Sequence, residues 1–135
     1  MLDFKPDPRY QMYWRHFRTG RFWEAHEVLE DLWMESEGRD KVFYQGLIQA
    51  AACLHHLERG NLHGAERLAG TAREKLESVG TSYRGLQIES LLMGLHTCLE
   101  DARPGAGPGE SVTSFRLRIP RVDLAFGVDA ASTTD

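Results

Sequence analysis

Apolar residues recur at three- and four-residue intervals along most of this chain, the spacing of helices that bury one face. Asp7 and Pro8 make an N-cap and first-turn pair, and "RYQMYWRHF" behind them predicts a helix over about 8–18. Gly20 ends it, and "FWEAHEVLEDLW" continues as a second helix to about Ser36. Gly38 supplies a stop and Asp40 a cap for a third helix over about 41–58, while Gly60 and Asn61 mark the passage to a fourth over about 62–78. Gly80 closes that one, Ser82 stands where a cap is needed, and "YRGLQIESLLMGLHTCLEDA" predicts a fifth. The expected fold class is all-α: a five-helix bundle of two helical hairpins plus a C-terminal helix, occupying residues 1–102.

Two later segments break the helical pattern. "RPGAGPGE", 103–110, has the composition of a flexible linker. Residues 111–135 form a tail in which "FRLRIP" alternates apolar and basic side chains with period two. Phe115, Leu117 and Ile119 are expected to lie as an extended strap over the helices or to pair with another subunit; "DAASTTD" is expected to be disordered. A weak repeat at an offset of 40 aligns Gly20 with Gly60, Phe22 with Leu62 and Ala25 with Ala65, in the manner of tetratricopeptide-like hairpins.

The helices differ in kind. The fourth carries Leu62, Ala65, Leu68, Ala69, Ala72, Leu76 and Val79 on one face and charges elsewhere, as a surface helix does. The fifth resembles it, with His96 and Glu100 as an outward i,i+4 pair. In the second, His26 lies beside Phe22 and Trp33, with Glu30 one turn on, between His26 and Trp23, whereas Glu24, Glu27, Asp31 and Glu35 make a solvent strip. The third carries no formal charge from Val42 to Leu57, which implies a central position, and its Gln45, Gln49 and His56 fall within about 40° of one another by the helical period. An inward carboxylate is costly without partners. The expectation is therefore a buried polar cluster of His26, Glu30, Gln45, Gln49 and His56 between helices two and three.

Charge narrows the partners. The net charge of −4 argues against a nucleic-acid binder, which normally needs a clustered positive surface. Residues 21–40 hold seven acids against two bases, so the outer face with Glu24 and Glu27 suits a basic partner. No apolar run reaches the length of a membrane span, no signal-peptide core is present, and Cys53 and Cys98 sit singly in apolar runs; the protein is expected to be cytoplasmic, with reduced thiols.

Metal ligation by His26, Glu30 and His56 is the weaker reading of the cluster, because HxxxE is a common helix pair and amides stand where carboxylates would be wanted. No cofactor is predicted. Acid–base chemistry at the Glu–His pair ranks third, behind a structural network or small-ligand site and a protein-interaction module of helical-hairpin type. A homo-oligomer stays open.

The motifs F-x-x-G-x-F-x-E-A-H-E-x-L-E-x-x-W (Phe17–Trp33), F-Y-Q-G-L-I-Q-x-A (Phe43–Ala51) and H-x-x-x-G-N-x-x-G-A (His56–Ala65) resemble the family called domain of unknown function 309, over about residues 10–100. The resemblance implies a small all-helical bundle, mostly prokaryotic, without an established activity. It also implies recurrent polar positions at Glu24, His26, Glu27, Glu30, Gln45, Gln49 and His56.

Overall fold

The structure, a computed structural model, describes residues 6–103. The expectations for the linker beyond Arg103 and for the tail, with its strap of Phe115, Leu117 and Ile119, lie outside the described residues. Five helices account for nearly all of the described chain: α1 (Pro8–Arg18), α2 (Phe22–Glu35), α3 (Gly38–Glu58), α4 (Leu62–Ser78) and α5 (Ile88–Ala102). The all-α expectation holds.

Local chemistry sets the helix ends. Asp7 caps α1, its carboxylate accepting from the Arg9 amide at 2.8 Å, with Pro8 in the first turn where no amide hydrogen is needed. The α1–α2 and α3–α4 turns are alike: Gly20 and Gly60 take φ of 80° and 81°, and Arg21 N–H donates to His16 O (2.8 Å) as Asn61 N–H does to His56 O (2.9 Å). A left-handed residue that returns orphan carbonyls to hydrogen bonds is a standard helix stop. The repeat at an offset of 40 therefore includes the same turn built twice.

α3 is the central helix. It packs against α2 on one side and α4 on the other, and Phe43, Leu47, Ala50, Ala51, Cys53 and Leu54 are fully buried. Its approach to α4 depends on Gly46, where a Cβ would stand 2.8 Å from two atoms of Leu76. α1 completes the core with Tyr10, Tyr13, Trp14 and Phe17, whose rings meet edge-on or tilted. Tyr13 donates its hydroxyl to Leu47 O at 2.8 Å, and burial pushes that hydroxyl well above its ordinary pKa. It therefore stays a donor.

Two expectations need correction. Asp40 does not cap α3: that helix starts at Gly38 behind Glu37, and Asp40 lies in its first turn. Its carboxylate is taken up elsewhere, bidentately by Arg84 (2.8 and 2.9 Å) and by the Tyr83 hydroxyl (2.7 Å). Nor does Ser82 cap a fifth helix, because residues Ser82–Tyr83 and Leu86–Gln87 form a two-stranded antiparallel hairpin, β1 and β2, and α5 begins at Ile88. Arg84 (φ 48°) and Gly85 (φ 80°) form its turn. Two consecutive positive-φ residues are what a tight hairpin requires, and a non-glycine residue accepts that only with support. Arg84 has it, from Asp40 on its guanidinium and from Tyr10, which donates to its carbonyl at 2.7 Å.

Candidate functional site

α2 presents its buried residues Phe22, Ala25, Leu29 and Leu32 to the core, leaving Glu24, Glu27, Glu30 and Asp31 exposed. Glu24 and Glu27 thus lie in solvent, where the helical period puts them. Glu30 does not turn inward. Its side chain is 48% exposed and reaches back along its own helix to His26, with Nε2 to Oε2 at 3.2 Å. No polar or charged residue among those described is buried, so the expected buried cluster is corrected to a half-exposed one. The reason is energetic: an i,i+4 partner satisfies the carboxylate at the surface and avoids the cost of desolvating it.

The other expected members divide. Gln45, Gln49 and His56 are half-buried on α3, and no hydrogen bond or ion pair among the described residues joins them to Glu30 or His26. His56 belongs to the α3–α4 turn: its Nδ1 lies 3.1 Å from the Asn61 side-chain nitrogen, while the Asn61 oxygen caps α4 by accepting from Gly64 N at 3.0 Å. An amide nitrogen can only donate, so His56 Nδ1 accepts and its proton sits on Nε2. Two buried polar atoms of the expected cluster, His26 Nδ1 and Gln49 Oε1, have no hydrogen-bond partner. His26, Glu30 and His56 do not assemble into a metal centre; no group of three or more His, Cys, Asp or Glu among the described residues is placed to hold an ion.

What assembles around His26 is aromatic. The Trp23 ring stacks on His26 with centroids 4.4 Å apart and planes at 27°, and leans on His55 of α3 at 4.8 Å. Trp23 is nevertheless 44% exposed, a large apolar surface backed by two imidazole rings. His55, which sequence reasoning left as an ordinary surface position, is the third ring of this group. Partial burial lowers its pKa from 6.5, helped by Arg59, His56 and His26 and opposed by Glu24. The i,i+3 spacing of Trp23 and His26 was legible in the sequence; the reach of His55 across from α3 needed the register between the two helices.

Along α2, Trp23, Glu27, Glu30 and Met34 follow one another at intervals of four, three and four, and all four are exposed, Met34 at 60%. From Phe22 to Glu35 the helix holds five acids and no Lys or Arg. The result is an acidic ridge with a tryptophan at one end and a methionine at the other.

This is a small helical-hairpin domain with an acidic, aromatic-tipped outer helix. Residues 10–68 match the family described as domain of unknown function (DUF309), from α1 into the first turns of α4. An uncharacterised protein of Aquifex aeolicus (strain VF5) is 29% identical over 93 residues, 68% of this chain and 28% of the relative. The uncharacterised protein YpuF of Bacillus subtilis (strain 168) is 36% identical over 61 residues, 44% of this chain and 35% of YpuF. The alignments thus take in about a third of the length of these relatives. No described helix is long and apolar enough to cross a membrane.

Proposed function

We propose that this domain is a protein-interaction module whose docking surface is the outer face of α2. The observation that carries it is Trp23, 44% exposed yet fixed by stacking on His26, at the head of the ridge that includes Glu27 and Glu30. A preorganised tryptophan offers large contact area at small entropic cost, and its face attracts guanidinium or ammonium groups. Carboxylates one and two turns away select the same cations. The occupant is therefore a partner segment that carries Arg or Lys beside an apolar side chain.

Titrating the full chain with a synthetic peptide of alternating Arg and Leu, against a Glu and Leu peptide of equal length, tests this. Tryptophan emission should shift with the basic peptide only. The affinity should fall at least about tenfold between 50 and 200 mM salt, as expected for contact between exposed opposite charges. Equal responses to both peptides, or none to either, would rule the reading out.

A second reading has its own support. His26 Nδ1 and Gln49 Oε1 are both buried and both without a hydrogen-bond partner, on facing helices; with Nε2–H turned to the Glu30 carboxylate, Nδ1 of the neutral ring accepts, as the amide oxygen does. A small polar ligand offering two donors would satisfy them. Native mass spectrometry of freshly purified protein tests it: a bound mass lost in Gln49→Leu supports the ligand, and the bare chain mass in both opposes it.

A further inference from the structure

The two ends of the α2 surface differ in charge. Trp23 and Met34 stand eleven residues apart, about 16 Å by helical rise, whereas the screening length at physiological salt is about 8 Å. Each end therefore acts on a bound segment as a separate field. Toward Met34 the exposed carboxylates of Glu27, Glu30 and Asp31 outnumber Lys41, which lies over the Trp33 ring at 5.5 Å. Glu35, at the same end, is taken up by Arg9 through two bonds of 3.0 Å.

The Trp23 end is basic. Arg21 is the N-cap of α2, two residues before Trp23, and Arg59 is the C-cap of α3, one turn beyond the His55 that Trp23 leans on. Arg59 is near enough to act electrostatically on that imidazole. Both arginines are exposed, and among the described residues no side-chain hydrogen bond or ion pair engages either guanidinium. Glu24, also exposed, offsets only one of the two charges, while Arg18 and Glu58 already make contacts of their own. Two unengaged guanidiniums beside the ring would repel a partner made only of Arg, Lys and apolar residues.

We propose that Arg21 and Arg59 are an anion-binding end of the α2 docking surface, and that the partner segment is dipolar. Its Arg or Lys lie over Trp23 and along Glu27 and Glu30, and an Asp or Glu side chain just beyond the ring meets the two guanidiniums. An arginine fork can hold a carboxylate through two parallel N–H donors, so the contact fixes register as well as adding attraction. The order of charge, basic along the helix and acidic past the tryptophan, sets which way the segment lies. This inference rests on the docking reading of α2 and names what that partner carries at one end.

Four peptides of equal length and leucine content, capped at both ends, test it against the full chain at about 150 mM salt. One is the Arg and Leu peptide; the others replace two Arg by Asp, together at the N-terminal end, together at the C-terminal end, or in the middle. One of the two end-grouped isomers should bind about fivefold more tightly than the middle isomer, the size expected of two exposed ion pairs. In the double variant Arg21→Gln, Arg59→Gln that advantage should vanish. The Arg and Leu peptide should then bind more tightly than it does to the parent, because the repulsion beside the ring is gone. Opposite signs for the two peptides exclude a general loss of structure, which thermal melts of the single and double variants check separately. Equal affinities for the two end-grouped isomers would overturn the proposal, while a response to the Arg and Leu peptide would leave the docking reading intact. An end preference that survives in the double variant would overturn it too, since the acid would then be read elsewhere. If no peptide alters tryptophan emission, the docking reading fails and this one with it.

Discussion

The two ends of α3 are built on opposite principles. At its N-terminal end the charged side chains Asp40 and Arg39 both have partners. Asp40 holds Arg84 and Tyr83, Arg39 donates to Val79 O and lies 4.9 Å over the Tyr83 ring, and Tyr10 secures the Arg84 carbonyl. Toward its C-terminal end His55 supports an exposed tryptophan that also stacks on His26, and two buried polar atoms, His26 Nδ1 and, at mid-helix, Gln49 Oε1, have no hydrogen-bond partner. Satisfied networks specify a fold, and unsatisfied atoms next to rigid exposed aromatics are what a binding surface is made from. The contrast separates stability from function within one helix, and it can be broken.

The largest effect is expected from Asp40→Ala. It removes the carboxylate that the Arg84 guanidinium and the Tyr83 hydroxyl both bond, while Arg84 keeps its positive φ. A fully buried pair broken on one side costs about 3–5 kcal/mol; with both side chains 32% exposed the expected loss is about 2–3 kcal/mol, or roughly 10 °C in melting temperature. Binding of the basic peptide by the remaining folded protein should not change. A melting curve like the parent's would mean that the hairpin is not anchored as described.

Gly46→Val comes next. The added side chain collides with Leu76 and forces α3 and α4 apart, at a cost of about 1–3 kcal/mol read by chemical denaturation. Trp23→Ala reverses the pattern: it should cost no more than about 1 kcal/mol, since an exposed stacked ring contributes little to folding, yet it should abolish the peptide response. If Trp23→Ala unfolds the protein instead, the two ends of α3 do not divide their labour in this way.

The legibility of these features in the sequence follows the range of the interactions involved. The starts of α1 and α4 were readable because Asp7–Pro8 and Asn61 act within one turn of chain, and the stops at Gly20 and Gly60 are equally local. The hairpin was not readable. "SYRGLQ" offers only two short strands, and Arg84 tolerates its backbone because of Asp40 and Tyr10, which lie 44 and 74 residues away. The same limit applies at the site. Helix phase found His26 and its pairing with Glu30, but it took the side of the helix for the depth of the side chain. A position flanking an apolar arc can still project to solvent when its partner lies one turn back on the same helix. His55 was missed because its contact, Trp23, is on another helix and depends on register.

The smallest effect is a pH dependence centred on that residue. His55 has its pKa lowered in the folded state, chiefly by burial, then by Arg59, His56 and His26, with Glu24 acting in the opposite sense. Below its ordinary value of 6.5 the unfolded chain binds a proton at His55 more readily than the folded chain does. The associated stability is therefore complete above about pH 6.5 and declines as the pH falls toward the lowered folded pKa, after which it levels off. His55→Asn should flatten this part of the stability profile while leaving the ordinary acid limb of the carboxylates, below about pH 5, in place. Comparing denaturation midpoints of the two proteins between pH 8 and pH 5 measures the difference directly. A mutant profile parallel to the parent's throughout would show that the imidazole is not held against Trp23, and the open end of α3 would lose one of the rings that fixes its tryptophan.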